Sequence, residues 1–401
     1  MVLPENLLPL DPISDFVLVM FMILLLPKLL ERIKLPGIMG LLLGGFILGP
    51  TLIGILTPGQ GVMGFLADVG KLMVMFFAGL EIDFDQFFKS WRKSMIFGFL
   101  TFIIPLSAGI ILSLLFDFSL IPAVLIGSLL ASHTLISLPI LIKYKVVKRE
   151  AVAVTVGATI FTDIASLMVL SMCVSLYTVG FSLQILSVRL LGLVVYLPLV
   201  LFGAKWLADK YFRWMEENED NKTIMMLFIM TLAAAGAELI HLEGIVGAFI
   251  GGLAVNKVLH GGGVKQKLET LGNTLFIPMF FLIIGAMIDP SSFAGMRGID
   301  YFFAGGMIIL LVAAKFIAAK FASFLLRYKK HDSDVMWSLS IPQVAATLAA
   351  ALVAYQTVNL DGDRLISKMV FDAILMLMAV TTVIGPILTE HFVKKLPEGN
   401  G

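Results

Sequence analysis

Long apolar runs separated by short polar connections follow one another along almost the whole chain of 401 residues. Most runs have about 17–25 residues, the length with which an α-helix crosses a bilayer. The run at 36–50 is short for a span, so we expect flanking residues to complete it, or a protein-lined layer to enclose it. The pattern predicts an all-α polytopic membrane protein. Its thirteen predicted spans lie near residues 13–30, 36–50, 62–82, 94–116, 120–142, 150–178, 182–204, 223–241, 244–258, 270–288, 299–319, 335–357 and 365–390.

Composition agrees with a protein that is solvated by lipid. Hydrophobic residues make up 59% of the chain and charged residues 14%, whereas soluble domains carry about 25% charged residues. The net charge of +1 and the lack of an extended basic patch argue against a nucleic-acid partner. The N-terminal stretch MVLPENLLPLDP has acidic residues and prolines where a signal peptide carries Lys or Arg, so we expect no cleaved leader.

The distribution of basic residues predicts the orientation of the spans. Alternate connections lie on the same side of the membrane, and one side collects nearly all of the Lys and Arg residues outside the spans. The other side carries only Arg297, Arg364 and Lys368. Because basic connections stay in the cytoplasm, we expect the N-terminus outside and the C-terminus inside. The expected location is the inner membrane of a prokaryotic cell.

An internal repeat relates the two halves of the chain. LPGIMGLLLGGFILG (35–49) matches LEGIVGAFIGGLAVN (242–256) at six of fifteen positions, and FAGLEIDFDQF (77–87) matches IIGAMIDPSSF (283–293) in nearly the same register. An odd number of spans separates the paired stretches, so the copies must be inverted, as in many secondary transporters. The predicted organisation is a single transmembrane domain with repeat 1 at 13–178, a linker helix at 182–204 and repeat 2 at 223–390, without a soluble regulatory domain in this chain.

Two corresponding spans, 120–142 and 335–357, combine proline with hydroxyl and amide side chains. Such residues can open a helix and bind the backbone groups that the opening frees. Transporters with inverted repeats place their substrate site on interrupted helices of this kind. A proline-kinked packing helix is the alternative for each span. The polar and proline residues are Ser132, His133, Thr134, Ser137 and Pro139 in the first span, and Ser338, Ser340, Pro342, Gln343 and Thr347 in the second.

Asp163 lies near the middle of the apolar span 150–178. A carboxylate at that depth costs about 2.5–3.5 kcal/mol on insertion scales and is usually retained to handle protons or ions. Burial disfavours the charged form, so a proton and a cation can compete for the same group. A packing acid bonded to a hydroxyl or a lysine is the alternative. Candidate oxygen ligands for a monovalent cation are Thr162, Thr159, Ser166, Thr134 and Ser132, each of which can instead join two helices.

Other polar residues in the spans have several possible roles. Lys315 can neutralise Asp163, stabilise the empty site or cap a broken helix, and a purely structural role is equally open. His133 is a candidate pH sensor because its unperturbed pKa of about 6.5 is physiological, or a packing histidine. Glu243 can attract cations to an outer entrance or lie at the interface. Asp372 can be a second ion contact, although we favour a structural role.

The chain resembles the monovalent cation:proton antiporter-2 family, which contains sodium/proton and potassium/proton exchangers. The resemblance covers essentially the whole chain in the right order. Each matching string is weak by itself, and the set is specific. The strings are LPGIMGLLLGGFILGP (35–50), LADVGKLMVMFFAGLEIDFDQF (66–87), FTDIASL (161–167), LEGIVGAFIGGLAVN (242–256) and LFIPMFFLIIGAMID (275–289).

The resemblance implies a homodimer in which a scaffold domain holds a mobile core domain. Two interrupted helices of the core cross beside an essential aspartate, which maps onto Asp163, and a family lysine maps onto Lys315. Family members have Asp, Asn or Gln before that aspartate, where this chain has Thr162. The choice between sodium and potassium and the stoichiometry therefore stay open.

The resemblance predicts a secondary active antiporter that exchanges a monovalent cation for protons by alternating access. A proton- or sodium-coupled solute symporter on a related inverted-repeat fold is the alternative, and would need a larger cavity. An intramembrane enzyme is disfavoured, because the spans contain no paired catalytic aspartates, no His–Glu metal motif and no Ser/His nucleophile. We expect no cofactor besides the transported ions.

Overall fold

The computed structural model describes eleven stretches of the chain, and within them the structure is almost entirely helical, with one isolated β-bridge between Val358 and Arg364. The predicted all-α class is therefore confirmed. The described stretches are residues 12–32, 36–57, 61–81, 89–178, 183–214, 218–240, 242–256, 258–259, 262–288, 296–359 and 362–396.

The helices are α1 (Pro12–Arg32), α2 (Gly37–Leu48), α3 (Gly61–Glu81), α4 (Trp91–Leu115), α5 (Leu120–Ala131), α6 (Leu138–Lys143), α7 (Glu150–Thr178), α8 (Leu183–Trp214), α9 (Glu219–Leu239), α10 (Gly244–Val255), α11 (Gly262–Leu271), α12 (Ile277–Ala286), α13 (Gly298–Leu326), α14 (Lys330–Leu339), α15 (Ala345–Gln356) and α16 (Lys368–Val393). A π-helical turn, Gly272–Phe276, joins α11 to α12 without a break.

The described residues contain nine helical segments that are long and apolar enough to cross a membrane, and four shorter apolar helices, α2, α5, α10 and α15. Each predicted span coincides with one of these segments. The run at 36–50, expected to be short, forms the 12-residue helix α2. The prediction of a multi-pass membrane protein with about thirteen helical spans is confirmed.

The chain divides into two compact units. The second unit contains all the polar span residues that the sequence singles out around Asp163. The first unit consists of Met1–Leu80, Leu201–Ala235 and Gly247–Gly295, and the second of Glu81–Val200, Gly236–Val246 and Met296–Gly401.

In the first unit, glycines bring helix backbones into direct contact. A Cβ added at Gly45 of α2 would collide with the Leu282 carbonyl of α12, and one added at Gly252 of α10 would collide with the Phe76 carbonyl of α3. Gly45 and Gly252 are equivalent positions of the repeat, and Leu282 and Phe76 are equivalent as well. The two contacts are therefore related by the repeat, as an inverted-repeat fold requires.

A second pair of contacts has the same relation. A Cβ at Gly79 of α3 would collide with the Phe249 carbonyl of α10, and one at Gly285 of α12 would collide with the Leu42 carbonyl of α2. Part of the second matching stretch, at residues 82–87 and 289–293, lies outside the described residues. The boundaries assigned to the repeats and to the linker helix stay predictions.

In the second unit, one apolar core surrounds the interrupted helices. Its buried members come from five helices and include Leu125 of α5, Leu170 of α7, Phe303 of α13, Ala351 of α15 and Leu377 of α16. Burial of such side chains contributes about 1.5–3 kcal/mol each in water-soluble folds. Between helices in a lipid environment, close packing takes over that role. The core fixes the helix that carries Asp163 against both interrupted helices.

The close approach at Gly45 predicts a large cost for a small substitution. Gly45→Ala should lower stability by about 1–3 kcal/mol, because the Leu282 backbone must move to make room for the methyl group. Gly203→Ala in α8 is the matched control, since nothing lies within 4 Å of a Cβ added there. Thermal melting of both purified variants in detergent measures the difference. Equal melting temperatures would contradict the proposed backbone contact.

Candidate functional site

Both predicted interruptions are present in the second unit. The first helix stops at Ala131, continues as an extended segment from Ser132, and resumes as α6, which has a proline in its first turn. The second helix ends at Leu339 as α14 and resumes at Ala345 as α15. Proline lacks an N–H and cannot continue the helical hydrogen-bond ladder. The expectation of two broken helices is confirmed, and the alternative of kinked packing helices is wrong.

The two broken segments are hydrogen-bonded to each other. The backbone N–H of Thr134 donates to the Pro342 carbonyl at 2.8 Å. The side-chain amide of Gln343 donates to the carbonyls of Ser132 and Leu130 in the facing segment. In turn, the Gln343 side-chain oxygen accepts a bond of 2.5 Å from the Thr347 hydroxyl. One amide side chain thereby binds carbonyls that the first break leaves without a helical partner.

Gln343 is also held by its backbone. Its N–H donates to the Thr381 hydroxyl at 3.2 Å, and its carbonyl accepts from the Thr382 hydroxyl at 3.4 Å, both on α16. The side chain is fully buried. Sequence reasoning placed Gln343 among residues that open the helix and did not assign it to the site. An amide directly after a proline in an apolar span is the signal that could have identified it.

Asp163 lies on α7 beside the first break. Its carboxylate accepts a hydrogen bond of 2.8 Å from the Ser132 hydroxyl, and only 3% of the residue is exposed. Two other charged groups lie near enough to interact electrostatically with it, Lys315 and Glu243. A buried carboxylate next to a hydroxyl and an opened backbone is a set of oxygen atoms of the kind that hard cations bind.

Glu243 lies just before α10 in the second unit. The sequence suggests an outer entrance or an interfacial position for this residue and no proximity to Asp163. The structure brings the two carboxylates within electrostatic range of each other. The repeat register pairs Glu243 with Pro36 and gives no signal of this approach.

Lys315 is completely buried and points to the end of the first broken helix. Its Nζ donates to the carbonyl of Ala131, the last residue of α5, at 2.5 Å and to the Thr101 carbonyl of α4 at 3.0 Å. The carbonyl end of a helix carries partial negative charge, which a nearby ammonium group stabilises. Of the roles left open by the sequence, capping of the broken helix corresponds to these bonds, and Lys315 also interacts with Asp163 over a longer distance.

The predicted hydroxyl residues of α7 form a second set of contacts. Thr159 bonds His133 Nε2 at 2.9 Å, and Thr162 lies 3.4 Å from His133 Nδ1. Ser166 donates to the Ser128 carbonyl of α5 at 2.9 Å. Of the residues proposed as cation ligands, only Ser132 bonds the Asp163 carboxylate in the described contacts. Thr159, Thr162 and Ser166 instead join α7 to the first broken helix.

Asp372 lies elsewhere. Its carboxylate accepts a bond of 2.7 Å from Lys368, one turn earlier in α16. This ion pair agrees with the structural role that the sequence favoured.

Residues 17–395 match the family model described as "Sodium/hydrogen exchanger, transmembrane". The Na+/H+ antiporter NhaS5 of a Synechocystis species is 44% identical over 393 residues, which are 98% of this chain and 56% of that relative. The probable Na+/H+ antiporter 3 of Methanocaldococcus jannaschii is 28% identical over 386 residues, 95% of this chain and 96% of that relative. The chain therefore spans little more than half of the first relative and nearly all of the second.

Solved structures with the same fold exist. The sodium proton antiporter MjNhaP1 from Methanocaldococcus jannaschii aligns with a TM-score of 0.71 over 98% of this chain and 100% of that chain. The sequence identity in this comparison is 16%, so the likeness concerns the fold alone.

The cap on α5 predicts an unequal response of two lysines that both lie inside apolar helices. Lys315→Met should lower stability by about 1–3 kcal/mol for each carbonyl that loses its donor. Lys71→Met is the control, because within the described residues Lys71 forms an ion pair with the exposed carboxylate of Asp68 at 3.4 Å, and such pairs contribute about 0–1 kcal/mol. Thermal melting in detergent compares the two. A smaller loss for Lys315→Met than for Lys71→Met would rule out the cap.

Proposed function

The chain belongs to the sodium/hydrogen exchanger family, and on that premise we propose that it exchanges a monovalent cation, sodium or potassium, for protons across the membrane. The observation that carries the proposal is the position of Asp163, a buried carboxylate bonded to Ser132 at the break of an interrupted helix. Ionisable groups inside membrane proteins are costly and usually serve ion or proton movement.

Competition for Asp163 accounts for the exchange. A carboxylate removed from water must be neutralised, either by a proton or by a bound cation. Because one group cannot hold both, loading the cation on one side of the membrane releases the proton there. Reorientation of the loaded site, as in other inverted-repeat transporters, completes the cycle.

The proposed ion-binding residues are Asp163, Ser132, Thr162 and Thr134. Ser132 already contacts the carboxylate, and Thr134 contributes its backbone to the crossing. Thr162 lies next to Asp163 in the sequence and beside His133 in the structure. Lys315, Thr159, Ser166 and His133 are proposed to support the site, since their bonds hold α5, α7 and the first break together.

A symporter for an organic solute is not favoured, because the relatives are antiporters of cations and protons. We further propose that the protein is not an enzyme, needs no cofactor, and works as a homodimer in a prokaryotic inner membrane. Its N-terminus would face outside and its C-terminus the cytoplasm, as the basic connections predict.

Replacing Asp163 by Asn should abolish exchange and leave the protein folded, because an amide binds hydrogen-bond partners but cannot trade a proton for a cation. Asp372→Asn is the matched control, since that buried aspartate pairs with Lys368 away from the crossing. Proteoliposomes with a pH-sensitive dye inside measure proton flux when sodium or potassium is added. Exchange by a folded Asp163→Asn protein would show that coupling resides elsewhere.

The site also predicts electroneutral exchange. Asp163 is the one acid in the middle of α7, because Thr162 precedes it and Glu150 lies in the first turn of the helix, where it pairs with Lys93. The Lys315 ammonium is bonded to two carbonyls. One cation then replaces one proton, and no net charge crosses the membrane in a cycle. A membrane voltage, imposed with an ionophore in potassium-free medium, should leave the equilibrium sodium gradient across the proteoliposome membrane unchanged. A gradient that shifts with voltage in the wild type, but not in Lys315→Gln, would make the lysine a second proton carrier.

A further inference from the structure

His133 is the titratable group of the crossing whose role the exchange reaction leaves unassigned. It lies in the extended segment after α5, with 1% of its surface exposed. Its ring bridges three side chains from two other helices. Nε2 is 2.9 Å from the Thr159 hydroxyl, while Nδ1 is 3.4 Å from the Thr162 hydroxyl and 3.5 Å from Lys315 Nζ.

The hydrogen atoms of the two threonines decide the tautomer of the ring. Thr159 donates its hydroxyl hydrogen to the Thr155 carbonyl at 3.0 Å, and Thr162 donates its own to the Thr159 carbonyl at 2.9 Å. A hydroxyl has a single hydrogen to donate. With its hydrogen assigned to the Thr155 carbonyl, Thr159 accepts from His133, which places the hydrogen of the neutral ring on Nε2 and leaves a lone pair on Nδ1.

Counting the available hydrogens also identifies the donor to the lone pair on Nδ1 of His133. Thr162 has no hydrogen left for Nδ1, so the available donor is the Lys315 ammonium. An ammonium group has three hydrogens. The carbonyls of Thr101 and Ala131 accept two of them, and His133 Nδ1, 3.5 Å from Nζ, is placed to accept the third. Every hydrogen of this buried cation then has an acceptor.

From these contacts we propose that His133 is a positioning residue for the ion site. Its neutral imidazole accepts from Lys315 and keeps the ammonium on the end of α5. The Asp163 carboxylate, with which Lys315 also interacts, is thereby left available to the transported cation. The proposal rests on the proposed exchange function and adds a residue that sets the apparent affinity for the cation.

Two substitutions separate the functions of the two ring nitrogens. His133→Asn places an amide near the position of Nδ1, where it can accept from Lys315 without titrating. His133→Gln reaches the position of Nε2 and keeps a group beside Thr159, but leaves Lys315 without its third acceptor. Sodium-driven proton flux in proteoliposomes, measured at one pH as KM and maximal rate, compares them.

We expect His133→Gln to raise the KM for sodium about tenfold or more, as the loss of one hydrogen bond to a charged group implies, with a smaller effect on the maximal rate. His133→Asn should restore most of the affinity, because its amide oxygen can accept from Lys315. In a Lys315→Met background, His133→Gln should have no further effect on KM. Equal KM values for the two His133 variants, or an unchanged effect of His133→Gln in Lys315→Met, would overturn the proposal.

A measurement without transport separates this proposal from the proposed function. In the 15N spectrum of histidine-labelled protein at pH 8, one of the five histidines should show Nε2–H with a bare Nδ1. That signal should disappear in His133→Asn and shift in Lys315→Met. A His133 ring protonated at Nδ1, or a His133 signal that does not change in Lys315→Met, would refute the pairing of Lys315 with His133 even if exchange is normal. Absence of wild-type exchange together with the expected spectrum would instead refute the antiport function.

Discussion

Unpaired backbone groups inside an apolar protein are the constraint on which the rest of this structure depends. Two helices stop within the second unit, and each stop frees carbonyl and amide groups that lipid cannot bind. Buried polar side chains from other segments of the chain bind these groups. Gln343 binds carbonyls of the first broken helix, Lys315 binds its last carbonyl, and the backbone of Thr134 bonds the backbone of the second.

The side chains that bind the broken helix ends also set the electrostatic surroundings of Asp163. Because helix ends carry partial charges, the breaks create local fields of both signs near the middle of the unit. Lys315 stabilises the negative end of α5, and Asp163 lies next to it with the Ser132 hydroxyl as its bonded partner. The carboxylate is bonded to a hydroxyl and not directly to the lysine, which supports its proposed role as the group that takes a proton or a cation.

In the first unit, glycines allow close packing between helices. Where Gly45 and Gly252 meet carbonyls of the neighbouring helices, side chains are absent and backbones pack directly. Close approach of this kind stabilises helices in a lipid environment, where apolar side chains gain little by leaving lipid. The close backbone packing of this unit contrasts with the polar, hydrogen-bonded breaks of the other.

The sequence by itself predicted the all-α class, about thirteen spans, the two breaks and a carboxylate, Asp163, in the middle of an apolar helix. These follow from local physics: apolar length, proline, and a charge with no water around it. Only the tertiary structure decided which groups bind each other. Lys315 meets Ala131 across 184 residues of chain, and Gln343 meets Ser132 across 211. Neither the approach of Glu243 to Asp163 nor the bond between His133 and Thr159 follows from spacing along one helix, because these contacts exist only once separate helices pack.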